Sequence, residues 1–126
     1  MSLVAFTSIG IGPREMQRRL QDMTLPVQIS TAVALGASAS FTSAFFTAID
    51  ATSIIGLIIG DQTGTFVIQW SSDGVTVEGE DGPFTHNAND LTAFERPQFA
   101  EFYRVVYTNG TTPQTSFKLT ASKRKH

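Results

Sequence analysis

Asp61–Gly74 reads DQTGTFVIQWSSDG, and its pattern decides the fold. Phe66, Ile68 and Trp70 alternate with Thr65, Gln69 and Ser71 between Gly64 and Asp73-Gly74, the period-2 signature of a strand with one face buried. Its expected partner is Phe102–Leu119, FYRVVYTNGTTPQTSFKL. There Tyr103, Val105 and Tyr107 alternate into Asn109-Gly110, and Phe117 and Leu119 alternate out of it. The spacing predicts a hairpin, because Asn-Gly tolerates the positive φ of tight turns; Pro113 delays the return strand and lengthens the loop.

Working outward, strand signals continue almost unbroken from Thr31. Phe41 to Ile49 alternates as one strand, with Phe41, Ser43 and Phe45 on one face and Thr42, Ala44 and Phe46 on the other. Ser53–Gly60, SIIGLIIG, is apolar on both faces and reads as a central strand covered on both sides. After the organising strand come a short strand at Val75–Val77, an acidic loop Glu78–Pro83, irregular chain from Phe84 to Asp90, and a short edge strand Leu91–Glu95. Short strands at this spacing predict an all-β fold, an antiparallel β-sandwich of jelly-roll type. The expected core holds Phe41, Phe45, Ile55, Leu57, Phe66, Ile68, Trp70, Tyr103, Val105, Tyr107, Phe117 and Leu119. Phe46, Val67, Phe102 and Val106 are left for outer faces, where a contiguous set would mark an interface.

Residues 1–24 read differently. Leu3, Val4, Phe6, Ile9 and Ile11 lie in a segment too short to bury them, broken by Gly10 and Gly12, so an N-terminal arm is expected. It would lie on a neighbouring subunit or form a first strand of the domain's own sheet. Pro13 to Met23 predicts one short helix: proline suits the first turn, Glu15 suits the positive end of the dipole, and Met16, Leu20 and Met23 share a stripe. Arg14, Arg18 and Arg19 fall in the same segment. The expected division is therefore arm and helix 1–24, sandwich 25–121, and a basic tail 122–126.

Composition narrows the function. The 126 residues form one domain-sized unit, and the absence of cysteine removes disulfides and thiolate metal sites. Only 16% of residues are charged against 41% hydrophobic, which leaves room for apolar surface covered by partners. Neither a membrane-spanning run nor a basic leader is present, so synthesis in a cytoplasm and no membrane partner are expected. Between Thr24 and Glu95 there is no Lys or Arg, whereas Lys123, Arg124, Lys125 and His126 close the chain. Such separation steers docking onto charged surfaces, but these cations are too few for specific nucleic-acid binding.

The two histidines, His86 in an expected loop and His126, form no metal-ligand spacing and no catalytic pair. No enzyme activity, cofactor or resident metal is expected. Glu78, Glu80 and Asp81 with Asp73 have the oxygen ligands for Ca²⁺, with solvated turn acids as the simpler reading. Trp70 and the tyrosines could stack on sugar, but their phase points inward.

The stretch DQTGTFVIQWSSDG followed by YRVVYTNGTTPQTSFKL, with LPVQIS upstream, resembles a β-sandwich module of tailed-bacteriophage virion structural proteins. In that module a strand ending in a Ser-x-Asp-Gly turn precedes a closing Tyr-Arg-x-x-Tyr-x-Asn-Gly hairpin. The likeness spans Leu25 to Ala121; it departs at Val106, where the module often keeps a charge. It implies capsid-decoration, tail or fibre work in a virion, as a homo-oligomer, with a trimer the first expectation, bound to other virion proteins. On that reading the attachment surface comprises Leu3, Val4, Phe6, Ile9, Ile11, Arg14, Met16, Arg18, Arg19, Leu20, Met23, Phe46, Phe102 and Val106. The alternative is a carbohydrate-binding or host-recognition adhesin using the loop Glu78–Asn89 on a host glycan.

Overall fold

A computed structural model describes residues 6–9 and 27–125, and they are all β. The strands are β1 (Phe6–Ile9), β2 (Ile29–Thr31), β3 (Ser40–Thr42), β4 (Phe46–Thr47) and β5 (Ser53–Gly60). They continue with β6 (Gly64–Ser71), β7 (Gly79–His86), β8 (Leu91–Pro97), β9 (Phe102–Asn109) and β10 (Phe117–Arg124). One sheet has the order β1-β8-β5-β10-β2; the other has β3-β9-β6-β7, with β4 also pairing β9. If β3 and β4 are taken as one interrupted strand, β2 to β10 supply four strands to each sheet in the order of a jelly roll. The antiparallel β-sandwich read from the periodicity is the fold. The expected helix, Pro13 to Met23, lies outside the described residues.

The two stretches that decide the fold do pair. β6 and β9 run antiparallel, with Phe66 opposite Tyr107, Ile68 opposite Val105 and Trp70 opposite Tyr103. All six side chains are buried. Above them pack Ile54 and Ile58 of β5, Phe94 of β8, and Phe117, Leu119 and Ala121 of β10. The two sheets thus close a core from alternate positions of each strand.

The closing hairpin, however, does not form. β9 is flanked on one side by β6 and on the other by β3 and β4, so both its edges are used. The chain therefore crosses to the opposite sheet, where β10 pairs with β5 and β2. Asn109 serves that crossing through its side chain, whose amide donates to the carbonyls of Leu35, Gly36 and Thr112.

Other expectations shift for equally local reasons. Phe41 opposes Tyr107 and Phe46 opposes Tyr103, so three residues, 43–45, face only two, 104–105. The extra residue reverses the alternation, as in a bulge. Phe46, expected outside, packs on the core, while Phe45, expected inside, lies beneath the Arg104 guanidinium at 4.6 Å. In β5 the phase that joins the inter-sheet cluster belongs to Ile54 and Ile58; Ile55 is buried, as expected, but outside that cluster, and Leu57 is half-buried. Gly56 shares that phase, and its missing side chain is the space occupied by the Phe94 ring.

The acidic loop and the irregular stretch after it are largely β7, paired with β6 from Gly64–His86 to Trp70–Gly79. A register shift separates the Phe66–Phe84 pair from the Ile68–Asp81 pair, next to Gly82-Pro83, which is cis. The expected strand Val75–Val77 is instead a bend, with Val75 exposed. The expected edge strand at Leu91 runs to Pro97 and is flanked on both sides, because β1 pairs with it in parallel from Phe6–Leu91 to Ile9–Phe94. Residues 6–9 thus make their main-chain pairing within their own chain.

Gly56 provides the sharpest test of this packing. A methyl group there would meet the Phe94 ring and lie 2.7 Å from the Thr120 carbonyl oxygen. Gly56→Ala is expected to cost about 1–3 kcal/mol through overpacking. Urea unfolding should show a lowered midpoint with an unchanged slope, and a wild-type midpoint would contradict the assigned phase of β5.

Candidate functional site

Among the described residues, a concavity opens where β6 ends. The chain leaves β6 through a turn held by its own side chains. The Asp73 carboxylate accepts the amides of Val75 and Thr76 at 2.9 Å each, and the Ser71 hydroxyl donates to it at 2.8 Å. Gly74 takes φ +76°, a conformation in which a side chain is strained. The Glu78 amide then donates to the Trp70 carbonyl, and β7 begins. This turn stands where the Val75–Val77 strand was expected, because Asp73 caps two amides that a strand would need for its ladder.

Opposite it runs the loop between β8 and β9. It is braced by Gln98, whose amide nitrogen donates to Thr52 and whose side chain donates to Ala100 at 2.6 Å, and by the Ala48 amide donating to Glu101 at 2.7 Å. Between the two segments lies a cleft of ≈ 600 Å³. Trp70 and Phe99 meet edge to face in its wall, ring centroids 5.6 Å apart. Trp70 is only 3% exposed, whereas Phe99 is 64% exposed. The indole Nε1 is buried without a hydrogen-bond partner.

Four carboxylates also line this cleft: Glu78, Glu80, Asp81 and Glu101. Asp81 is matched by Arg96, whose Nε lies 2.7 Å from it. Glu78 accepts from the Ser72 hydroxyl and amide, which holds its pKa below the usual carboxylate range. Glu80 and Glu101 are exposed and have no ion-pair partner among the described residues. The arrangement offers negative charge beside an aromatic surface. It does not resemble a cation cage: Asp73 is spent on the turn, Asp81 on Arg96, and no metal-binding cluster occurs among the described residues.

Of the residues expected to form an attachment surface, five fall among the described residues. Phe102 and Val106 are half-buried on the outer face of β9, with Arg104 between them donating to Gln69 at 2.7 Å. Phe46 turns to the core, and Phe6 and Ile9 belong to β1. Leu3, Val4, Ile11, Arg14, Met16, Arg18, Arg19, Leu20 and Met23 lie outside the described residues. Sequence reasoning passed over Phe99, Ala100 and Glu101 as cleft residues. The signal was slight: an aromatic and an acid after Pro97, with no alternation to place them.

His86 is no loop residue. It ends β7, fully buried. Nδ1 lies 2.7 Å from the Thr92 hydroxyl and Nε2 3.3 Å from the Gly60 carbonyl, which can only accept; Nε2 therefore carries the proton and Nδ1 accepts from Thr92. Burial pushes its pKa down from 6.5, against smaller opposing effects of the Gly60 carbonyl and Asp90.

A cysteine-free jelly roll whose end carries a cleft built from two connecting segments is an antiparallel β-sandwich domain. More particularly, the chain belongs to the family described as "Uncharacterised protein YqxG N-terminal domain", whose model matches residues 19–124. No curated protein sequence matches. Among solved structures, the chain is similar to the PBSX exported protein XepA, with a TM-score of 0.66 and 22% identity over 79% of this chain. The match spans 38% of XepA. It is also similar to PirA, with a TM-score of 0.52 and 13% identity, covering 81% of this chain and 99% of PirA. At these identities the likeness is one of fold.

The His86 environment predicts an acid limb in stability. The unfolded chain takes up a proton near pH 6.5 and the folded chain only at lower pH. Stability from this site is full above about pH 6.5 and falls as the pH drops toward the lowered folded value. Asp61 and Asp73, both held at about 2 by hydrogen bonds, act in a separate window, between their ordinary 3.8 and 2. Urea midpoints measured between pH 7 and pH 5 should decline for the wild type. His86→Gln should flatten that decline, and an unchanged slope would refute the assignment.

Proposed function

We propose that this chain is a non-enzymatic structural protein of a phage particle that self-associates and attaches to the capsid or tail. The observation that carries the reading is the sandwich it shares with the PBSX exported protein XepA, together with the resemblance of its strand and turn motifs to the phage virion module. The partners are further copies of the chain, a trimer in the first instance, and other virion proteins. The chain is made in the host cytoplasm and ends in the virion.

A surface for self-association is available on the outer face of β9. Val106 lies opposite Val67 of β6 and Thr42 of β3, and Phe102 stacks beside Gly74 of the turn. Val67, Phe102 and Val106 are all half-buried, which keeps this face partly apolar without breaking the core. Arg104 is neutralised in shape, if not in charge, by Gln69 and the Phe45 ring. Burying such a face against a second copy favours association by about 25 cal/mol for each Å² of apolar area removed from water.

Size-exclusion chromatography with light scattering at micromolar protein tests this. The wild type should elute as an oligomer, and Val106→Glu should give a folded monomer, because the side chain is only partly buried. A monomeric wild type would overturn self-association. Persistence of the oligomer in Val106→Glu would overturn the surface, and absence of the protein from purified particles would overturn attachment.

A further inference from the structure

We infer that the cleft between the β6–β7 turn and the β8–β9 loop is a binding site for a lysine- or arginine-bearing peptide segment of a partner protein. Its acids come from two separate parts of the chain, Glu78–Asp81 and Glu101, and converge on one opening. Among the described residues Glu80 and Glu101 have no cation opposite them, and Arg96 is paired with Asp81 and lies over the Phe84 ring. The potential in this opening is therefore negative and favours a positively charged guest. The low-dielectric wall of Trp70 and Phe99 strengthens that attraction relative to open solvent.

Each part of such a segment finds a counterpart. The cationic head meets Glu80 and Glu101, and its aliphatic stem lies along the exposed ring of Phe99. Trp70, which lines the cleft, keeps its Nε1 donor buried and without a partner. A neutral sugar could stack on the same rings, but it would leave the two carboxylates uncompensated. Lys123 of the chain's own basic end is engaged elsewhere: its amide donates to Gln28 and its Nζ to the Ile49 carbonyl. The site uses residues distinct from the outer face of β9, so its failure would leave the self-association surface untouched.

The test is calorimetric titration of the full chain with acetyl-Lys-Arg-Lys-amide, with maltotriose as the neutral comparison. Trp70 is the only tryptophan, so its fluorescence locates the event. The peptide should bind saturably and perturb that fluorescence. Glu80→Gln with Glu101→Gln, at two exposed positions without side-chain partners among the described residues, should leave the fold intact and weaken binding about tenfold. Raising the salt to about 1 M, where the screening length falls to about 3 Å, should abolish most of it. Absence of peptide binding, peptide binding indifferent to the double substitution, or saturable binding of maltotriose in its place would each overturn the inference.

Discussion

The pairing of β6 with β9 is the constraint on which the rest of the molecule depends. It runs without interruption from Gly64–Asn109 to Ser71–Phe102, and it places six buried side chains in one layer. Among the described strands only β6 and β7 are neighbours in both sequence and space; every other ladder joins distant parts of the chain. Loop-closure entropy must be met before such non-local ladders form, so the reward has to come from the core they close. That reward is concentrated where Phe66, Ile68 and Trp70 lie against Tyr103, Val105 and Tyr107. Burial also lifts the Tyr107 hydroxyl to about 12 and that of Tyr103 higher still, which keeps both neutral throughout the physiological range.

One amide joins this layer to the opposite sheet. The Gln28 side-chain oxygen accepts from the Tyr103 hydroxyl at 2.6 Å and from the Lys123 amide at 2.9 Å, while its nitrogen donates to the Thr47 carbonyl at 3.0 Å. Three strands from two sheets, β4, β9 and β10, therefore share a single polar side chain. A polar group bonded to all three at once fixes one arrangement of the sheets where apolar packing alone would tolerate several.

What could be read from the sequence follows the same physics. β6 and β9 are legible because each alternates with large apolar residues over a full strand, and the structure buries the expected members. The partnership of β9 with β10 misleads, because Asn109-Gly110 looks like a turn whatever the topology, and nothing local records that both edges of β9 are already occupied. Phe45 and Phe46 are adjacent and alike, so a single inserted residue decides which of them faces inward. β7 hides because it is rich in Gly, Asp and Pro, residues that strands disfavour. It tolerates them as the outermost strand of its sheet, where a proline and acidic side chains also discourage pairing with another chain.

Edge protection accounts for Pro83 and for some acid on β7, but not for the composition of the cleft. A strand guarded against unwanted pairing needs charge along its own length, whereas Glu101 belongs to a different loop, beyond β8, and Phe99 exposes a large apolar ring beside it. Placing that ring on the surface has a solvation cost, and gathering carboxylates around it adds mutual repulsion; neither helps the sandwich to fold. The two features become mutually consistent when a guest supplies both a positive charge and an aliphatic stem. The scarcity of cations in the middle of the chain then has a structural meaning, because Arg96, beside the cleft, is held by Asp81. A segment from outside can supply the remaining charge without competing against the fold's own interactions.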